Sequence, residues 1–177
     1  MDDSVLVEKC IKGDQQAQRV LFEKYARKML GVCLRYSNST PQAEDVLQEG
    51  FIKVFSKLEM YKGGSLEGWI RKIMVNSSLD KIRKEKKRQG DISVEKVGFK
   101  LEENSFILES LEAEDLLKLI ASMPTGYKTV FNMFAIEGFS HKEIAQELNI
   151  SENTSKSQYS RAKTYLQSKM KEAGIER

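Results

Sequence analysis

The sequence predicts an all-α protein, and three observations carry that prediction. Gly and Pro, the residues that break helices, number only 11 and 2 among 177 residues. Long stretches alternate charged and apolar residues at the three- and four-residue spacing of a helix. Ser, Thr or Asp stands where most of these periodic stretches begin, as helix caps do. A chain of 177 residues can form one large domain or two small ones.

The elements follow in order. A first helix is predicted over about Ser4–Lys12, ended by Gly13. Asp14 is placed to cap a second, which runs to about Tyr36 with Ala17, Val20, Leu21, Tyr25, Met29 and Val32 facing inward. Ser37-Asn38-Ser39 is a polar break. Thr40 then caps a third helix with Pro41 in its first position, where proline's fixed φ and missing donor cost nothing. That helix is expected to reach about Leu58. Lys62-Gly63-Gly64 breaks the chain again, and Ser65 can cap a fourth helix from Leu66 to about Arg88.

The stretch from Gln89 to Ser110 has weak periodicity and mixed charge. It is long for a loop inside a compact domain, which predicts a flexible linker at 89–110 between domains at 1–88 and 111–177. The charge pattern agrees. Asp80-Lys81-Ile82-Arg83-Lys84-Glu85-Lys86-Lys87-Arg88 is strongly basic, whereas Glu95, Glu102, Glu103, Glu109, Glu112, Glu114 and Asp115 are acidic.

The second domain is small, so its core is expected to be marginal and shared by all its helices. Leu117, Ile120, Val130, Phe131, Phe134, Ile144, Leu148, Ile150, Tyr159, Ala162 and Leu166 are the candidates. Met123-Pro124 stops one helix and Gly138 another. Ser140 and Glu143 fit a capping box, Asn149-Ile150-Ser151 a tight turn, and Ser151 a second cap. Two short helices joined by such a turn, the second polar and basic, make a helix-turn-helix. Lys156, Ser157, Gln158, Arg161 and Lys163 supply groups able to bond guanine, adenine or phosphate. The bland alternative, a solvated helix face, explains the charges but not the caps and turn beside them.

Two further stretches carry candidate chemistry. In Gly68–Lys87, residues Arg71, Lys72, Asn76, Arg83, Lys84 and Lys87 form a polar stripe able to follow a phosphate backbone, and Trp69 could stack on an unpaired base. Composition alone favours a core Trp69 and merely solvating lysines. In Gln42–Phe55, residues Val46, Leu47, Phe51, Val54 and Phe55 make a wide apolar stripe with Asp45, Gln48 and Glu49 at its margin. A core helix with a wet face explains this stretch; a protein partner would explain the excess of large apolar side chains.

Other functions find little support. No catalytic set stands out, and the single histidine, His141, opens a predicted helix and is expected near a phosphate. Two cysteines and one histidine cannot make a conventional four-ligand zinc site, so neither metal nor cofactor is expected. Cys10 and Cys33 read as buried free thiols. No apolar run approaches the roughly 20 residues of a membrane span. The acidic start, Met1-Asp2-Asp3-Ser4, is unlike a secretory signal, and a cytoplasmic protein is expected. Asn38-Ser39-Thr40 and Asn149-Ile150-Ser151 fit the glycosylation pattern by chance on that reading.

In this order, the stretches resemble the extracytoplasmic-function (ECF) sigma factors, the small two-domain class of bacterial sigma-70-type factors. Gly13-Asp14, Ala43–Phe55, Trp69-Ile70 with Ile73, Asn76 and Asp80, Met123-Pro124, Val130-Phe131, Glu137–Ser140, Glu143-Ile144-Ala145 and Ile150-Ser151 carry the resemblance. The resemblance implies a transcription initiation factor that is not itself an enzyme. It implies binding of core RNA polymerase through Asp45, Gln48, Glu49, Phe51, Val54 and Phe55. It implies capture of the melted minus-ten element by the loop Tyr61, Lys62 and Ser65 and by the helix from Trp69 to Lys87. It implies reading of the minus-thirty-five duplex by the helix-turn-helix, Ser140 and His141 included. An anti-sigma factor is a further expected partner, and membrane insertion is not. The family usually has valine where this chain has Ser155, and often arginine where it has Gln158, so Ser155 is expected to anchor its helix weakly. The alternatives are a LuxR-type regulator, whose receiver domain would need strands that residues 1–88 do not suggest, and a helical adaptor that binds only protein.

Overall fold

The computed structural model describes residues 2–89 and 111–174. The chain divides into two compact units, residues 1–85 and 86–177, close to the reversal from basic to acidic sequence. Among the described residues all regular structure is helical. The predicted linker at 89–110 lies outside the described residues except for Gln89, which closes the fourth helix.

The first unit holds α1 (Asp3–Ile11), α2 (Gln15–Tyr36), α3 (Thr40–Lys57), a short 3-10 turn (Leu58–Met60) and all but the last four residues of α4 (Leu66–Gln89). Between α1 and α2 the chain turns at Gly13, whose φ of 81° is one that glycine takes without a Cβ penalty. Asp14 then accepts from the backbone N–H of Gln16 and Ala17, satisfying two donors that the first turn leaves orphaned. The cap of α3 is Ser39 rather than the expected Thr40: Ser39 Oγ accepts from Gln42 N, Thr40 is already helical, and Pro41 stays in the first turn. Ser65 caps α4 by accepting from Gly68 N at 3.0 Å.

Leu6, Leu21, Met29, Val54, Ile70, Met74 and Leu79 are essentially fully buried, which joins all four helices in one core. Val20, expected inside, is only half-buried. Helices α3 and α4 pack so closely that a Cβ on Gly50 would overlap Met74 Sδ. Cys10 and Cys33 are free and buried. Burial pushes the Cys33 thiol up to about 12, which keeps it protonated and unreactive.

The second unit holds α5 (Leu111–Ala121), α6 (Thr125–Phe131), a wider π turn (Asn132–Ile136), α7 (His141–Leu148) and α8 (Glu152–Glu172). Ile120, Met123, Ala162 and Leu166 form its centre, with Tyr127, Phe131 and Tyr165 packed against them. Met133 and Ile144 are also fully buried. Phe131, Phe134, Leu148, Ile150 and Tyr159, expected in the core, are half-buried at its edge. The π turn closes with Glu137 N donating to Asn132 O at 2.9 Å, and Gly138 follows at φ 78°.

Candidate functional site

The helix-turn-helix is built as its capping residues dictate. Ser140 Oγ accepts from Glu143 N at 3.2 Å, and the Glu143 carboxylate accepts from Ser140 N at 2.8 Å. These bonds from Ser140, backbone first, hold the Glu143 carboxyl below its ordinary value. Asn149 takes the left-handed conformation at φ 53°, and Ile150 N donates back to Ala145 O. Ser151 Oγ then accepts from Thr154 N at 2.9 Å and starts α8.

On α8, Lys156, Ser157, Arg161 and Lys163 are exposed, as a reading face requires. Asn153, Ser160 and Thr164 share that face, and their three- and four-residue spacing from Lys156, Ser157 and Arg161 was the signal for them. Three expected contact residues are placed differently. Gln158 turns toward α6: its Oε1 lies buried against Gly126 and meets no hydrogen-bond donor among the described residues. The hydroxyl of Ser140 is engaged in its cap. His141 is half-buried, stacked on Phe134 at 4.3 Å between centroids and 13° between planes.

The ring of His141 also corrects the expectation for Ser155. Ser155 is 0 % exposed, and its hydroxyl shares a hydrogen bond of 2.9 Å with His141 Nδ1. A buried hydroxyl is costly only when it has no partner. Here it bonds α8 to the first turn of α7, so Ser155 anchors its helix by a polar contact instead of an apolar one.

In the first unit the exposed polar stripe of α4 runs through Lys72, Asn76, Arg83, Lys84 and Lys87, with the half-exposed Trp69 at its head. Trp69 is thus partly covered, as composition favours, and partly accessible. Tyr61 lies beside it with ring centroids 5.7 Å apart, and Tyr61 Oη donates to Gly64 O at 2.6 Å. Gly63 and Gly64 both have positive φ, so the loop holds this shape without Cβ strain. Lys62 is exposed in that loop, while the Ser65 hydroxyl is engaged in its cap. Arg71 does not share the stripe: Met74, Val75 and Ser78, three, four and seven residues on, are all buried, so Arg71 lies over the covered side of α4.

One acid sits within the cationic stripe. Asp80 accepts from Arg83 Nη2 at 2.6 Å and from Lys53 Nζ of α3 at 3.3 Å. Burial alone would raise its carboxyl, but the bonds from Arg83 and Lys53 outweigh burial and hold it below the ordinary value. Those two cations screen its charge from an approaching phosphate.

Helix α3 separates two roles that its sequence runs together. Phe51 and Val54, expected to touch the polymerase, are 3 % and 0 % exposed and belong to the core. Phe51 meets Phe22 of α2 edge-on at 4.7 Å. The outer face carries Asp45, Gln48 and Glu49 around Ile52, which is 69 % exposed, with Phe55 half-buried beside it. A single exposed aliphatic side chain is ordinary on a protein surface; Ile52 stands out here only because it shares its face with Asp45, Gln48 and Glu49. The period of the helix alone could have separated Ile52 from Phe51.

Among the described residues no grouping of three or more His, Cys, Asp or Glu could hold a metal ion. No described helix is long and apolar enough to cross a membrane.

Known proteins share this organisation. The model of sigma-70 region 2 matches residues 21–88, and that of sigma-70 region 4 matches residues 113–166. The ECF RNA polymerase sigma-E factor of Haemophilus influenzae is 29% identical over 183 residues, covering 96% of each chain. The RNA polymerase sigma-H factor of Pseudomonas aeruginosa is 27% identical over 173 residues, covering 91% of this chain and 90% of that protein. In fold the chain is similar to CnrH, solved in complex with the cytosolic domain of CnrY, with a TM-score of 0.51 at 19% identity over 96% of this chain and 97% of that one. It is also similar to the sigma factor RpoE of Bartonella quintana, solved with the anti-sigma factor NepR, with a TM-score of 0.53 at 22% identity over 86% of this chain and 96% of that one. With both regions matched, in order and over more than half of its length, the chain belongs to the sigma-70 family, as an ECF sigma factor that works with RNA polymerase.

Proposed function

We propose that the protein directs core RNA polymerase to particular promoters by reading two DNA elements with two different surfaces. The exposed face of α3, Asp45, Gln48, Glu49 and Ile52, docks on the polymerase. Trp69 and Tyr61, with Lys72, Asn76, Arg83, Lys84 and Lys87 behind them, take the melted minus-ten strand. The outward face of α8, centred on Lys156, Ser157 and Arg161, reads the minus-thirty-five duplex. Bond-forming chemistry belongs to the polymerase, and the protein acts where the polymerase does, in the cytoplasm.

The observation that carries this reading is the difference between the two polar surfaces. A half-buried aromatic pair at the head of a cationic helix, with part of each ring still accessible, suits unpaired bases, whose faces are available for stacking. A capped helix-turn-helix with a bare polar second helix suits the major groove of a duplex. A LuxR-type receiver finds no strands among the described residues. A protein-only adaptor would leave both cationic surfaces without a use.

An anti-sigma factor is proposed as a further partner, since CnrH was solved with the cytosolic domain of CnrY and RpoE with the anti-sigma factor NepR.

The test is run-off transcription from a genomic promoter library, with core polymerase alone and with the protein added. New, sequence-specific start sites are expected only with both components. No start site enriched over core polymerase alone would refute the proposal.

A further inference from the structure

Helix α8 has to present its outer face at a fixed angle, because groups that bond base edges tolerate little displacement. The cap at Ser151 and the left-handed Asn149 fix where α8 begins, and Ala162 and Leu166 bury its later turns in the core. A polar attachment lies between these, one turn into α8. Ser155, wholly buried, bonds the only histidine of the chain, His141, at 2.9 Å. His141 is itself held from two directions. The Ser140–Glu143 capping box fixes its backbone, and Phe134 covers one face of its ring at 4.3 Å. Tyr159, one turn beyond Ser155 on α8, packs on Phe134 at 4.6 Å and approaches the His141 ring at 5.9 Å.

The bond is directional where the packing around it is not. Apolar packing between α7 and α8 restricts their crossing angle to a class with a scatter of about 15–20°. A hydrogen bond between a stacked imidazole and a buried hydroxyl adds a directional restraint within that class. We propose that His141 and Ser155 are a positioning pair that sets the angle of the recognition helix, and with it the promoter sequence the helix selects. The pair touches no DNA and acts through Asn153, Ser157 and Arg161. The proposal rests on the reading of α8 as the duplex-reading helix.

The test uses the full chain with core polymerase and selection from a randomised upstream element. Ser155→Ala removes the hydroxyl, and His141→Phe keeps a ring for Phe134 while removing the acceptor and donor. Each single variant strands the other partner and should weaken binding to the preferred upstream element by about tenfold. The double variant strands neither and should recover most of that loss, while selecting a broader set of sequences than the parent. The imidazole ¹⁵N signals of the sole histidine provide a second readout, and Ser155→Ala should move the Nδ1 resonance. Thermal melting is measured in parallel, so that lost binding is compared only below the melting range of every variant.

Single variants that bind and select like the parent would overturn the proposal, as would losses that merely add in the double variant or an Nδ1 signal unmoved by Ser155→Ala. Arg161→Ala keeps the two failures apart. If it weakens upstream binding while the pair's variants do not, only the positioning role falls. If it too has no effect, α8 does not read duplex DNA and both readings fall.

Discussion

Replacing Ile52 and, separately, its neighbour Phe51 by alanine tests which side of α3 meets a partner. Ile52 is 69 % exposed, so truncating it removes almost no core contact, and the change in stability should stay within about 0.5 kcal/mol. Burying a whole isoleucine side chain stabilises by about 1.5–3 kcal/mol. Most of that surface is still open on Ile52, so its loss from an interface should cost about 1–2 kcal/mol, or about five- to thirtyfold in polymerase affinity. Phe51 is 3 % exposed and holds Phe22 edge-on at 4.7 Å. Its truncation should destabilise the first unit by about 3–5 kcal/mol through lost transfer energy and the cavity left behind. A small domain has about 5–15 kcal/mol in total. Urea unfolding and a polymerase-binding titration, run on both variants, separate the effects. Ile52→Ala with unchanged polymerase affinity would refute the assignment of the outer face, and Phe51→Ala with unchanged stability would refute the assignment of the core.

Other surfaces give sharper outcomes still. Gly50→Ala must push aside only the flexible end of Met74, and alanine's better helix propensity offsets that shift by about 1 kcal/mol, so the net change should stay within about 1 kcal/mol; Met74→Ala, which empties a fully buried site, should cost about 2–5 kcal/mol, both read by thermal melting. Asp80 has a lowered folded-state pKa, so its contribution to stability is present above its ordinary value of 3.8 and is lost as pH falls from there through the folded value. Asp80→Asn should flatten that part of an acid-unfolding curve, and an unchanged curve would contradict the pairing with Arg83 and Lys53. Arg161→Ala should weaken binding to the upstream duplex by about 1–3 kcal/mol if the contact is to a base. Gln158→Ala, at a side chain packed on Gly126, should leave the preferred sequence as it was, and selection from a randomised upstream element would show otherwise if Gln158 reads a base.

Local features were the most legible in the sequence. Asp14, Ser65, Ser140 and Ser151 cap helices with their own side chains, and a cap needs only neighbours within three residues. The cap of α3 falls on Ser39, one position before the expected Thr40, because both residue types can cap a helix and the bond from Gln42 N decides between them. The apolar stripe of α3 was legible as a stripe, but a stripe does not say which of its residues face the domain and which face a partner. The helical period sets Phe51 and Ile52 about 100° apart, but which of the two directions is covered is decided by α2, whose Phe22 lies against Phe51. Arg71 and Gln158 differ from the expected exposed face for a related reason: each is polar, yet each stands on a part of its helix that is partly covered. The bond between His141 and Ser155 crosses from one helix to the next, and no periodicity announces it.

On α8 the side chains that hold the helix and those that face outward are almost entirely different residues. Ser155, Ala162 and Leu166 are buried, whereas Asn153, Lys156, Ser157, Ser160 and Arg161 are exposed. Substitutions in the second group touch no core and cost little stability. If that outer face reads the upstream duplex as proposed, copies of such a gene can diverge at those few positions and acquire new promoters while keeping the same scaffold. Drift in promoter choice would then need no passage through an unfolded intermediate sequence.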